Sequence, residues 1–211
     1  MSREVYEASV NKVGEVLSDK KYGEVLEFVK KYFEETHISI TEIDKDKMLL
    51  YGYYFEKLLV TPITFESKDN ETILDLIYSY DEIDKETYDF LKNKKLSIFK
   101  VKKIKKENFF VIDVFEKKKV YTLKLSDEWP LINKGDLIQG YMYFAYEPYL
   151  SPQSLIHPFE VNKYILKNVK LILKGKSNIN KDNFLAKLFR KFVNSKRYFK
   201  KNALDVYKMD I

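Results

Sequence analysis

Cysteine is absent from the chain. That excludes a disulfide framework, a thiolate-ligated zinc or iron–sulfur site, and a thiol nucleophile. Glycine is scarce, and Gly14, Gly23, Gly52, Gly135, Gly140 and Gly175 nowhere cluster. A P-loop, a dinucleotide fingerprint and a nucleophile elbow each need a local glycine set, so none of them is present. Histidine occurs only as His37 and His157. A two-histidine metal site would need them to meet across the fold beside carboxylates. Each is expected instead as a polar boundary residue. No apolar run approaches the ~18 residues of a membrane span. The longest candidate, MLLYGYYFEKLLV, is broken by Glu56 and Lys57. The N-terminal MSREVYEASVNKVGEVL is charged and periodic and lacks the apolar core of a secretory signal. Together with the missing cysteine, this fits a cytoplasmic protein, and no cofactor is expected.

What the chain does hold is apolar mass and unevenly placed charge. Its 211 residues are 45% hydrophobic and 33% charged, the balance of a folded, soluble chain. Tyrosine (17) and phenylalanine (15) far outnumber the single tryptophan. From Lys163 to Ile211 there are 14 Lys and Arg against three acids, Asp182, Asp205 and Asp210, whereas the rest has 24 against 29. The tail is thus +11 and the body −5. Such asymmetry bears on partners more than on fold.

Periodicity divides the chain into three regions. Residues 1–95 read as helical. KYGEVLEFVKKYFEE places Tyr22, Leu26, Val29 and Phe33 at helical spacing. KDKMLLYGYYFEKLLV reads as a buried helix stopped by Pro62. DNETILDLIYSY opens on an Asp/Asn start signal, and Asp84 is expected to cap DKETYDFLKNK. Residues 96–157 change texture. LSIFKVKKI, NFFVIDVF, KVYTLKL and LIQGYMYFA are short β-branched and aromatic segments between polar turns. Phe110, Ile112 and Val114 share one face of the second segment, and Tyr121, Leu123 and Leu125 one face of the third. YLSPQSLIHP adds an edge strand. The spacing predicts a small antiparallel β-barrel of OB or SH3 type. Residues 158–211 return to helix. Pro158 opens the first, with Val161, Ile165 and Val169 inward, and Gly175 closes it. The expected class is α+β: a helical N-terminal region, a small barrel and two C-terminal helices in one compact body.

Three features of this layout carry a resemblance. A helix leads into the first strand, Asp113 sits late in the second, and LINKGDLI (Leu131 to Ile138) puts Gly-Asp before the fourth. Over residues 84–165 the chain resembles a group of uncharacterised bacterial proteins that place a small β-barrel after a helical region. The resemblance implies this architecture and a bacterial source, and no activity. Some members carry a SEC-C zinc motif, which cannot exist here without cysteine.

Catalytic chemistry has little to stand on, and no enzyme and no metal site are predicted. Asp44 and Asp46 have the spacing of a Mg²⁺ pair but read as a charged turn with Asp46 capping a helix. In SDEW, Asp127 and Glu128 solvate a loop while Trp129 plugs the barrel end. Binding has more support. If Ile138, Met142 and Phe144 form the core face of their strand, Tyr141 and Tyr143 project outward with Gln139. Lys100 and Lys102 leave the first strand, and Lys124 the third. Lysines interleaved with rings hold single-stranded nucleic acid on OB-like barrels. The alternative is that helices cover both faces.

The stretch NFLAKLFRKFVNSKRYFKK (183–201) has seven basic residues and no acid. On a helix, Leu185, Leu188, Phe189, Phe192 and Phe199 form a stripe, with Lys187, Arg190, Lys191, Arg197 and Lys201 opposite. Lys196 falls within the stripe, and Phe184 and Tyr198 fall toward the basic side. The basic face can be merely solvated, can grip phosphates, or can accompany an apolar stripe that enters a partner groove or membrane interface. The expected function is a non-enzymatic nucleic-acid-binding module. The alternative is a protein–protein adaptor.

Overall fold

The computed structural model describes residues 2–35, 45–65, 68–116, 119–125, 131–197 and 202–208. The protein is α+β, with a small, nearly closed antiparallel sheet and two longer helices after it. It divides into two compact units. One comprises residues 1–95 and 141–153, the other 96–140 and 154–211. The first cut falls where the sequence changes texture. The second differs from expectation: 141–153 belongs with the helices, and the C-terminal helices belong with the strands.

The helical unit contains α1 (Ser2–Leu17), α2 (Gly23–Glu35), α3 (Lys45–Leu59), α4 (Ile73–Ser79) and α5 (Lys85–Lys92). Between α3 and α4 lies a hairpin that the sequence pattern does not announce, β1 (Pro62–Phe65) and β2 (Lys68–Thr72). Pro62 ends the helical run as expected, but β-branched Ile63 and Thr64 with Phe65 favour a strand after it. Asp69 and Asn70 are consequently strand residues and not a helix start. The cap is Thr72, whose hydroxyl accepts the Asp75 amide at 3.1 Å while Asp75 accepts the Thr72 amide at 3.1 Å. Asp84 caps α5 as predicted, accepting the Thr87 amide at 2.7 Å.

In the other unit, β3 (Lys94–Lys105), β4 (Asn108–Asp113) and β5 (Val120–Lys124) form an antiparallel meander. β3 also bonds to β6 (Leu137–Tyr143), and β6 to β8 (Leu155–Ile156), giving the order β5-β4-β3-β6-β8. The ends of β3 and β6 belong to the helical unit, where β6 pairs with β7 (Tyr149–Leu150). α6 (Asn162–Leu173), α7 (Lys181–Arg197) and α8 (Ala203–Lys208) follow. The inner face of the meander is Phe99, Val101, Phe109, Val111, Tyr121 and Leu123, each 5% exposed or less. Tyr121 and Leu123 follow the expected alternation. On β4 the buried face is Phe109, Val111 and Asp113, the one opposite Phe110 and Ile112. A charged residue on the inner face hides that period. Asp113 Oδ1 accepts there from the Ser97 hydroxyl at 2.7 Å and the Phe115 amide at 2.8 Å.

Candidate nucleic-acid interface

Dividing charge by unit sharpens the asymmetry of the sequence. The unit of 96–140 and 154–211 holds 24 Lys and Arg against ten Asp and Glu, a net of +14. The helical unit holds 14 against 22, a net of −8. Two of the basic unit's acids, Asp113 and Asp136, are buried, and so is one of its cations, Lys191.

The meander gathers part of that charge on its outer face. Opposed residues of antiparallel strands share a face. Lys103 pairs with Phe110 and Phe110 with Thr122, one row across three strands. Lys105, Asn108 and Lys124 form the next row, and Lys100, Ile112 and Val120 the row on the other side. Between Val101 and Lys103 the register shifts by one residue. This bulge sets two consecutive lysines, Lys102 and Lys103, against the single residue Phe110. Lys102, Lys103, Lys105 and Lys124 are exposed, while Lys100, Phe110 and Ile112 are half-buried. Lys106 turns the chain into β4 with φ 53°, a left-handed position that glycine or asparagine would take with less strain.

Of the predicted contacts, Lys100 and Lys102 are on this face or its bulge, and Arg190 is exposed on α7 with Lys187 half-buried one turn before it. Three predictions are corrected. Tyr141 and Tyr143 are 4% and 1% exposed and cannot stack on a ligand. β6 is buried along its whole length, on both faces. Tyr143 stacks on Phe90 at 5.0 Å and donates to Glu56 Oε1 at 2.7 Å, and Tyr141 lies beneath the Lys94 ammonium at 4.8 Å. Lys191 is 1% exposed. Its ammonium donates to the Tyr207 carbonyl and lies 5.9 Å from the Tyr164 ring. α7 packs against α8, which covers a position the helical wheel assigns to solvent. Phe184, also on that side, is 3% exposed. Leu185, Leu188, Phe189 and Phe192 are buried as expected, and exposed Lys196 places its ammonium 5.6 Å from the Phe192 ring. Lys201, Tyr198, Phe199 and the Arg197 side chain lie outside the described residues, as do His37, Asp44, the Asp46 side chain, Asp127, Glu128 and Trp129.

Two buried polar clusters are not foreseen from sequence. In the basic unit His157 is 2% exposed. Its Nε2 faces Gln139 Oε1 at 3.1 Å, and its Nδ1 faces the Tyr207 hydroxyl at 2.7 Å. The amide oxygen can only accept, so Nε2 carries the proton and Tyr207 donates to Nδ1. Gln139 Nε2 then donates to the Leu185 carbonyl at 2.9 Å. This relay ties α8, β6 and α7 together, and burial pushes the imidazole down to about 3. In the helical unit Glu56 accepts Tyr143 and, at 2.9 Å, the Ser151 hydroxyl. Lys94 donates to the Glu56 carbonyl oxygen at 2.7 Å. Burial raises the carboxyl and drives the Lys94 ammonium down to about 8. Glu56 had one sequence signal, a charge interrupting an apolar run. His157 and Lys94 had none, because their partners are 18 to 50 and 38 residues away.

The LINKGDLI segment proves to be turn chemistry. Gly135 has φ 101°, and Asp136 accepts the Asn133 amide at 2.7 Å. Among the described residues no three His, Asp or Glu side chains gather as metal ligands, and no helix is long and apolar enough to cross a membrane. Comparison with protein-family models, curated proteins and solved structures found no match.

Proposed function

We propose that the basic unit binds nucleic acid as a non-enzymatic module, through phosphate contacts. One observation carries the reading: a compact unit with a net charge of +14 in a chain whose other unit carries −8. A sustained positive field concentrates polyanions and steers their association. Each phosphate neutralised releases counterions, so binding of this kind weakens steeply with salt and is indifferent to sequence. Lys187 and Arg190 of α7 and the lysines of the β3–β5 face supply the contacts.

Fluorescence anisotropy with labelled single and double strands at two salt concentrations tests this. The expected affinity is roughly 10⁻⁴ to 10⁻⁶ M near physiological salt. Changing Lys187 and Arg190 together to Gln should lower the slope of log K against log salt on duplex by ~0.9 for each phosphate no longer neutralised. No binding at low salt removes the proposal. The adaptor reading would then stand on the unit's exposed apolar side chains, Leu131 at 79% and Phe159 at 69%.

A further inference from the structure

The face of β3, β4 and β5 differs in kind from that of α7. Lys187 and Arg190 offer charge alone. The meander offers charge around a ring. Phe110 lies in the central strand with Lys103 directly opposite on one side and Thr122 on the other. The bulge adds Lys102 beside Lys103, and the flanking rows contribute Lys100, Lys105 and Lys124. Rows along a strand are about 7 Å apart and strands about 4.8 Å apart, so these ammonium groups surround the ring at side-chain reach. No acid occurs among the strand residues of this outer face. Phe110 keeps part of its surface open to solvent, while its neighbour Phe109 is fully buried on the inner face.

A duplex shows its charge to such a surface but keeps its bases stacked inside. A single strand presents phosphates and unstacked bases together, and the second can use a ring. We infer that the outer face of β3, β4 and β5 is a binding surface for single-stranded nucleic acid, with Phe110 as the base-stacking ring and Lys100, Lys102, Lys103, Lys105 and Lys124 as phosphate contacts. The inference rests on the nucleic-acid reading above and assigns the ligand class for this face. The bulge at Lys102 and the two-residue turn at Lys106, with the positive φ that a tight hairpin needs, keep lysines along the rim of this face.

The test compares three labelled ligands on the full chain: a short single strand, an abasic strand of equal length and the matching duplex. The single strand should bind roughly tenfold tighter than the abasic strand, the effect of one stacked base. Phe110→Leu, which preserves apolar bulk, should erase that preference. Lys103→Gln with Lys105→Gln, both at exposed positions, should lower the single-strand salt slope by ~0.7 for each phosphate no longer neutralised. Equal affinity for the single and abasic strands overturns the inference even if the Leu variant fails to fold. So does a preference that survives Phe110→Leu, or a slope that the lysine pair does not move. If none of the three ligands binds at low salt, the nucleic-acid reading itself fails.

Discussion

His157 shows how a single buried group couples stability to pH. Its pKa in the folded protein, about 3, lies below the ordinary 6.5 because burial disfavours the charged ring. Between those values the unfolded chain binds a proton that the folded protein excludes. Stability is therefore fully present above pH 6.5 and is lost as pH falls toward 3, at up to ~1.4 kcal/mol per pH unit from this group. His157→Gln should flatten that part of the profile. Denaturant midpoints of both proteins at pH 7, 6 and 5 check it, and parallel pH dependence in the two would refute the assignment. Lys191 makes a related point. A lysine on the basic side of an amphipathic helix is by default a surface residue. Here its ammonium reaches a main-chain carbonyl of α8, so it anchors the C-terminal helix and is withheld from any ligand.

Among the elements, β6 is the most constrained. It is buried on both faces. At Gly140 an added Cβ would sit 1.8 Å from Ser154 Oγ, 2.4 Å from Ser154 Cβ and 3.0 Å from Ser154 Cα. The last atom is backbone and cannot swing away. Gly140→Ala should therefore destabilise the protein by ~1–3 kcal/mol through overpacking. Thermal or denaturant unfolding measures this, and a change within experimental error would show that the strand has slack. α7 is held differently. Its buried set, Phe184, Leu185, Leu188, Phe189 and Phe192, is wider than one stripe because a second surface, α8, meets it. At ~1.5–3 kcal/mol for each fully buried side chain, this burial outweighs whatever the outward charges add. The helix is docked by its apolar residues, and Arg190 and Lys196 stay exposed.

At the scale of the whole molecule, charge is the quantity to follow. The total of +6 conceals units of +14 and −8. A ligand held by the basic unit should respond to where a charge is removed and not merely to how many are. Lys30→Gln with Lys31→Gln takes two exposed lysines from the helical unit. This pair should leave the salt slope of nucleic-acid binding unchanged. Lys103→Gln with Lys105→Gln removes the same charge from the basic unit and should lower it. Equal effects would mean that net charge alone governs binding and that no face is specialised.

The sequence by itself determined the α+β class, the start of β3, the four main strands, the Asp84 cap, the stop at Gly175 and the apolar stripe of α7. These depend on period, capping and turn chemistry, which act over a few residues. It also excluded thiol, P-loop and dinucleotide chemistry by composition. Only the tertiary structure decided which side of each element is covered. Tyr141, Tyr143 and Lys191 have the local pattern of surface residues, and neighbours remote in sequence bury them. Phe110 has the pattern of a core residue, and the bulge and register of the meander turn it outward among lysines. Burial is a property of what packs against an element, and a period along one strand or helix carries no information about that partner.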